Sequence, residues 1–358
     1  MVHAIAALPL ARQDAQWLRC SALAYLTRDP DWFTQQAALA DESISADAAM
    51  TLLGLAWHHA LVRTAGHEAF VQLLRAITAP RLQRLLAVRM PDTGPVRDNK
   101  HGTRLKVAIY TPEVGNNRHG STALTLNTMS VLALQDVDVH GYSAKEMSIP
   151  AIGSYHGGAE ALTPLAVNVA SLKMHTPGNI QFSFPNADLS LRSRFVQVLQ
   201  AIDAYAPDVV VFVGFMSPLV YRLYAHYPVV GLSVHSVPPV APVDVWLSAD
   251  PQIDAACWPG IPAPQVFAFP FRFWPTGQAQ PVERTSIGLP AHSIVLVTAG
   301  FRLPSEISTS WGEAMRAFIE ARPNVHWLLV GIVEGQSTAS LPAHPRIHLF
   351  APQPQLEA

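Results

Sequence analysis

The sequence predicts an α/β protein built from two doubly wound lobes, the second of them incomplete, behind an all-helical N-terminal segment. Three observations predict this. Val209-Val-Val-Phe-Val213 is a continuous apolar run, the signature of a strand buried on both faces of a parallel sheet. Strand-like and helix-like stretches alternate around it at the spacing of βαβ units. After a stretch rich in Pro and aromatics at 259–280, a second alternation of the same kind begins.

Composition bounds the rest. The chain has 358 residues, enough for about two domains at roughly 150 residues each. Charged residues make up 14% and the hydrophobic set 49%, with mean hydropathy +0.19. Disorder needs the opposite balance. Net charge is −2 and the isoelectric point about 6.7, so no basic footprint for nucleic acid or an anionic membrane is present. Cys20 and Cys257 are the two cysteines; a disulfide framework and a cysteine zinc site are both excluded. No apolar run reaches the ~18 residues of a membrane span. The short apolar run at 1–11 has no Lys or Arg before it, as a secretory signal would need, so a cytoplasmic location is expected.

Residues 12 to about 90 read as helices, with Trp17, Leu18, Ala22, Tyr25 and Leu26 on one face. Asp29-Pro30 and Ala79-Pro80 mark breaks, because the residue before Pro avoids the helical region. No 34-residue self-similarity is seen, so helical repeats are not expected. The polar stretch 91–103 reads as a linker. The expected domains are therefore a helical domain at 1–100, a first lobe at 104–280 and the start of a second lobe at 285–358.

In the first lobe, Leu105–Tyr110 reads as a strand, Ser121 to about Gln135 as a helix with Ser121 as its N-cap, and Val137–Tyr142 as a strand. The stretch 145–185 is spotted with Gly and Pro and gives no clear element. Leu189–Tyr205 reads as a helix stopped by Pro207, 209–213 as a strand, 218–226 as a helix and Val229–Val234 as a strand. The segment 259–280 reads as a crossing between lobes. In the second lobe, Ile294–Thr298, Val325–Val330 and Arg346–Phe350 read as strands and Thr309–Ala321 as a helix. A βαβ unit takes ~30 residues, so this lobe holds about two units and reads as cut short. An open sheet edge of that kind predicts association between chains or poor solubility.

The common motifs are missing. No G-x-G-x-x-G follows the strand at 105–110 and no phosphate-binding G-x-x-x-x-G-K-[ST] occurs. Gly66-His67-Glu68 lacks the second His of a zinc helix, and the adjacent His58 and His59 point apart on a helix, so no metal site is expected. Gly231-Leu-Ser-Val-His235 resembles a nucleophile elbow around Ser233, but Pro238 and Pro239 follow at once and forbid the helix that the elbow requires. His235 lies past a buried strand, where ligands bind in open α/β sheets; the alternative is a hydrogen-bonded loop histidine. His119 lies in the loop after the first strand, just ahead of a helix. The positive end of the helix dipole keeps such an imidazole neutral and able to take a proton; the alternative is a loop-capping residue. Glu113, six residues earlier, is the second candidate in that loop.

The stretch Leu105-Lys-Val-Ala-Ile-Tyr-Thr-Pro-Glu-Val-Gly-Asn-Asn-Arg-His-Gly-Ser-Thr-Ala-Leu124 resembles the segment that opens the catalytic region of the O-linked N-acetylglucosamine transferase family, which includes bacterial enzymes that glycosylate adhesins. Pro228-Val-Val-Gly231, His235-Ser236 and Val243-Asp244 are similar to that family's strand, its His loop and a following Asp. Thr298-Ala-Gly-Phe-Arg-Leu-Pro-Ser-Glu306 is similar to the first turn of the donor-binding lobe in two-lobed (GT-B) glycosyltransferases. The resemblance covers about residues 104–358.

It implies two Rossmann-like lobes, the first binding the acceptor and the second the donor. The implied reaction is an inverting, metal-independent transfer from a nucleotide sugar, with a UDP-sugar the expected donor and a protein or glycan the acceptor. No cofactor is implied, because the nucleotide sugar is a substrate. In this pattern His119 and Glu113 are the catalytic candidates, and His235, Arg302, Asn116 and Gly120 the substrate-binding ones. Arg302 would serve as the phosphate contact; otherwise it is a solvated loop residue. The family's later donor-lobe motifs have no counterpart in the sequence. Two other readings stay open: a non-catalytic acceptor-binding or scaffold remnant, and a sugar-nucleotide epimerase, for which no pair of facing carboxylates can be assigned.

Overall fold

The computed structural model describes residues 2–11, 13–27, 29, 31–39, 104–114, 120–146, 148–149, 153–154, 181–186, 188–232, 238–248, 260–269, 283–300, 303–332, 338–339 and 341–352. The chain divides into two compact units: Met1–His58 with Leu74–Trp274, and His59–Leu73 with Pro275–Ala358.

The first unit opens with three helices, α1 (Val2–Ala6), α2 (Gln13–Thr27) and α3 (Asp31–Ala38). The break between α2 and α3 falls at the expected Asp29-Pro30, and the rest of the helical stretch read from the sequence lies outside the described residues. No helix among the described residues is long and apolar enough to cross a membrane.

The α/β part then follows as β1 (Lys106–Tyr110), α4 (Gly120–Leu134), β2 (Asp138–Tyr142), the short hairpin strands β3 (Ser148–Ile149) and β4 (Gly153–Ser154), β5 (Gln181–Ser183), α5 (Leu191–Tyr205), β6 (Val209–Val213), α6 (Pro218–His226), β7 (Val229–Leu232), β8 (Val245–Ser248) and β9 (Gln265–Ala268). Seven of these strands form one sheet in the order β5-β2-β1-β6-β7-β8-β9, and every pairing in it is parallel. The strands step outward from β1 through β2 to β5. The chain then returns to the other side of β1 and steps outward again from β6. The order therefore reverses between β1 and β6, and in open α/β sheets the crevice at the carboxyl ends of two such strands is where ligands bind.

Local chemistry accounts for the main elements. β1 and β6 each bury four of five residues, and Val107, Ile109, Val211 and Val213 pack with Leu124, Leu126 and Met129 of α4. Ser190 caps α5 by accepting from the Ser193 amide, and the helix ends at Ala206 with φ +51°, after which Pro207 cannot continue it. Ser217 caps α6, with Pro218 in its first turn where a missing N–H costs nothing. β6 and α6 take the bounds read from the sequence. One expectation is corrected. α4 already starts at Gly120, so Ser121 stands inside the first turn and is not the N-cap. The segment 259–280, read as a crossing between lobes, holds the boundary between the two units at 274/275 and also contributes an unforeseen strand, β9, which pairs with β8 at the sheet edge.

Gly141 of β2 has a specific reason to be glycine. A Cβ built there would meet the ring of Phe182 on the neighbouring β5, with Cε2 at 2.5 Å. Phe182 in turn stacks on Phe184, their centroids 4.8 Å apart, and the Lys145 ammonium lies 5.5 Å from the Phe184 ring centre. The bare backbone at Gly141 thus lets an aromatic pair lie flat beside the end of β2.

The second unit has a three-stranded parallel sheet in the order β10-β11-β12, with β10 at Ile294–Ala299, β11 at Val325–Val330 and β12 at Ile347–Phe350. Two helices, α7 (Leu303–Glu306) and α8 (Thr309–Glu320), lie between β10 and β11 in sequence. Leu303, Ile307, Ile319, Val325, Trp327, Leu329 and Leu341 form one core cluster. The opposite face of β11 and β12 carries a histidine pair: His326 Nδ1 and His348 Nε2 are 3.0 Å apart and their rings stack. Burial lowers the affinity of both rings for protons, and for His326 the neighbouring His348 and Arg346 lower it further. A base depressed in this way contributes stability above the ordinary histidine range, and that stability is lost as pH falls, because the unfolded chain takes up protons that the folded pair refuses. Acidification from pH 7.5 to 5.5 is therefore expected to lower the urea midpoint of the second unit, and His348→Phe to flatten that dependence.

Candidate functional site

The carboxyl ends of β1, β2 and β6 converge on a cluster of buried polar side chains. β1 ends at Tyr110, and Thr111-Pro112-Glu113-Val114 continues from it, fully inside the protein. β2 ends at Tyr142 and is followed by Ser143-Ala-Lys-Glu146, also buried. β6 leads through Gly214-Phe-Met216 to Ser217, at the head of α6. The loops are tied by backbone bonds: the Thr111 N–H donates to Tyr142 O at 3.0 Å, and the Glu146 N–H donates to Pro112 O at 2.8 Å.

At the centre is Glu146, 1% exposed. The Tyr110 hydroxyl donates to its Oε1, and so does the Ser217 hydroxyl at 2.5 Å. Desolvation pushes the Glu146 carboxyl up to about 8. The two hydroxyl donors and Arg194 oppose that rise, and the nearby Glu113 adds to it. Burial likewise pushes the Tyr110 phenol well above its usual range, with Glu146 reinforcing the shift. Lys145 is lowered by burial, opposed by Glu113 and assisted by Arg194.

Arg194 projects from the first turn of α5 and is 1% exposed. Its Nη1 donates to Ala144 O at 3.0 Å and Lys145 O at 2.5 Å. Lys145 itself has φ +49°, a left-handed conformation uncommon for a side chain of that size. Such backbone outliers are found where surrounding contacts over-determine the chain, often at functional sites. The arrangement brings two carboxyls, an ammonium, a guanidinium and a phenol to the point where the strand order reverses. It can hold a proton out of solvent and fix the loop that follows β1. Among the described residues no group of three or more His, Cys, Asp or Glu is placed to hold a metal ion.

Of the residues singled out in the sequence, Glu113 lies in this cluster, buried at the end of β1, and Gly120 is the first residue of α4. His119, Asn116, His235 and Arg302 lie outside the described residues, as does Ser233. β1 ends at Tyr110 as expected and α4 opens at Gly120, one residue earlier than expected, so His119 belongs in sequence to the connection between them. Sequence reasoning missed Tyr110, Lys145, Glu146, Arg194 and Ser217. A usable signal existed for two of them, since Lys145-Glu146 directly follows a recognised strand, at its carboxyl end.

No family model matches the chain, and no curated protein matches it in sequence. Among solved structures, it is similar to a mutant of the O-GlcNAc transferase of Thermobaculum terrenum, at 13% identity and a TM-score of 0.44, over 96% of this chain and 65% of that one. The chain thus spans a little under two thirds of that structure's length. It is also similar to a UDP-N-acetylglucosamine 2-epimerase from Listeria monocytogenes, named as putative, at 14% identity and a TM-score of 0.36, over 70% of each chain. A third is S. aureus MnaA solved with UDP, at 12% identity and a TM-score of 0.39, over 70% of this chain and 69% of that one. At such identities and scores no residue role follows from the likeness. The topology speaks for itself. Both units are parallel α/β sheets of the Rossmann-like form expected of GT-B lobes.

Proposed function

We propose that the chain is a GT-B-type glycosyltransferase that moves a sugar from a nucleotide-sugar donor, with UDP-sugars the first to test, to a protein or glycan acceptor, with inversion and without a metal ion. One observation carries the reading. The loop bearing the motif Glu113-Val-Gly-Asn-Asn-Arg-His-Gly120 leaves β1 at the reversal point of a seven-stranded parallel sheet, the position from which doubly wound folds present ligand-binding loops.

In this reading the acceptor hydroxyl attacks the anomeric carbon of the sugar. The new C–O bond forms on one face as the bond to the diphosphate breaks on the other, and the hydroxyl proton passes to a base. His119 is that base or orients the acceptor, and Glu113 supports the loop from its β1 end. Asn116 and Gly120 contribute backbone and amide contacts to substrate, and His235 contacts the donor sugar. The departing diphosphate carries charge that fixed donors must stabilise. Helix N-terminal amides and Arg302 supply them.

Calorimetric titration of UDP and UDP-sugars into the full chain is expected to give saturable heat, weakened about tenfold by Arg302→Ala. In a transfer assay, His119→Ala is expected to lower kcat by about 100-fold, within the usual range for a general base. Absence of heat at millimolar nucleotide removes the donor site. Binding without turnover under any acceptor favours the non-catalytic alternative.

A further inference from the structure

Three loops end at Glu146, although only one of them carries the motif. Its Oε1 accepts one hydrogen bond from the Tyr110 hydroxyl at the end of β1 and another from the Ser217 hydroxyl at the head of α6. Its own N–H holds Pro112 in the β1 loop. Oε2 has no hydrogen-bond partner among the described residues. Arg194 grips the two carbonyls just before it, and the left-handed turn at Lys145 swings Glu146 beneath the β1 loop. A carboxyl used only for packing would not need two hydroxyl donors, one from the end of a strand and one from the cap of a helix, nor a buried guanidinium to aim its backbone.

We propose that Glu146 is a positioning residue: it locks Thr111–Val114, the stretch leading into the motif loop, against the carboxyl ends of β2 and β6. The locked state favours the protonated carboxyl, because the burial of an ionised one outweighs the two hydroxyl donors and Arg194, all of which favour the charge. The groups facing it are Tyr110 and Glu113 from β1 and its loop, Lys145 beside it, Arg194 from α5 and Ser217 from α6. Glu113 repels the ionised form and Arg194 favours it. With the carboxyl raised to about 8, the lock is whole at pH 6.5 and loosened at pH 9. The catalytic meaning of the lock rests on the transferase reading; its existence does not.

Two arms separate them. Hydrogen exchange on the full chain, corrected for intrinsic rates, reads the amides of Thr111, Glu113 and Val114 and of 143–146. In the native chain their protection is expected to fall about tenfold from pH 6.5 to 9. Glu146→Gln keeps a carbonyl acceptor and cannot ionise, so its protection should be equal at the two pH values. Glu146→Leu should lose protection at both, while amides of the second unit remain unchanged. Equal pH responses in the native chain and Glu146→Gln overturn the proposal, and so does a folded Glu146→Leu with native protection at 111–114. If Glu146→Leu does not fold, the Glu146→Gln comparison alone decides. The second arm is the pH profile of kcat in the transfer assay, where Glu146→Gln should remove an alkaline limb near pH 8. Failure of UDP to bind sinks the transferase reading and leaves the exchange result standing; failure of the exchange arm sinks the lock alone.

Discussion

Replacing Arg194 with Met is expected to destabilise the first unit by about 3–5 kcal/mol, the range for removing one member of a buried charge set. Methionine keeps much of the side-chain volume, so the loss is not chiefly one of packing. Two backbone carbonyls, at Ala144 and Lys145, lose the charged donor they share, and a buried hydrogen bond to a charged group is worth about 1.5–3 kcal/mol. Electrostatic support changes as well. Arg194 holds the Glu146 carboxyl down and works against Glu113, so its removal drives Glu146 further toward the protonated form. The left-handed turn at Lys145 then has less to enforce it. Urea unfolding followed by first-unit amide exchange measures the effect, with an unchanged slope indicating an unchanged native state. A loss below about 1 kcal/mol would mean that solvent reaches those carbonyls and that the cluster is wet.

Trp327→Ala should cost about 3–5 kcal/mol, the usual toll for deleting a large buried aromatic, and that cost falls on the smaller unit. Trp327 lies on β11, the middle strand of three, and is fully buried. Its ring meets Trp311 of α8 edge-on, with centroids 5.1 Å apart. Its Nε1–H donates to Thr298 Oγ1 on β10 at 2.9 Å. One side chain therefore joins helix to sheet and strand to strand. Two-state behaviour often fails when one part of a multidomain chain is weakened selectively. The expected result is a biphasic denaturation curve, with the second unit melting first, and partial recovery in Trp327→Phe. A single shifted transition would show that the two units unfold together.

Where a side chain's environment follows from its near neighbours in sequence, the structure was readable in advance. Val209–Val213 and Val325–Val330 are apolar throughout or nearly so, and both strands took the expected bounds. Ser217-Pro218 announces a helix start by cap and ring chemistry, and α6 begins there. The short strands β5, β8 and β9 were not foreseen; three or four residues such as Gln265–Ala268 carry too little periodicity. At the site, Glu113 was picked out by its place after a strand. Glu146 was not, because its burial depends on Arg194 and Ser217, 48 and 71 positions away in sequence. Charge that is paid for by distant partners leaves no local pattern. The roles assigned to His119, Asn116, His235 and Arg302 rest on motif and position in the chain.

The histidine pair in the small sheet has a counterpart of opposite sense. Glu146 is an acid whose proton the native state retains, so its share of stability is complete below about pH 4.5 and drains away as alkalinity rises through about 8. His326 and His348 are bases that the native state keeps neutral, so their share drains away toward acid. Acid thus strikes one half of the molecule and alkali the other. A titration that watched only total unfolding would show a broad, flat plateau near neutrality, concealing two halves that are tuned against each other.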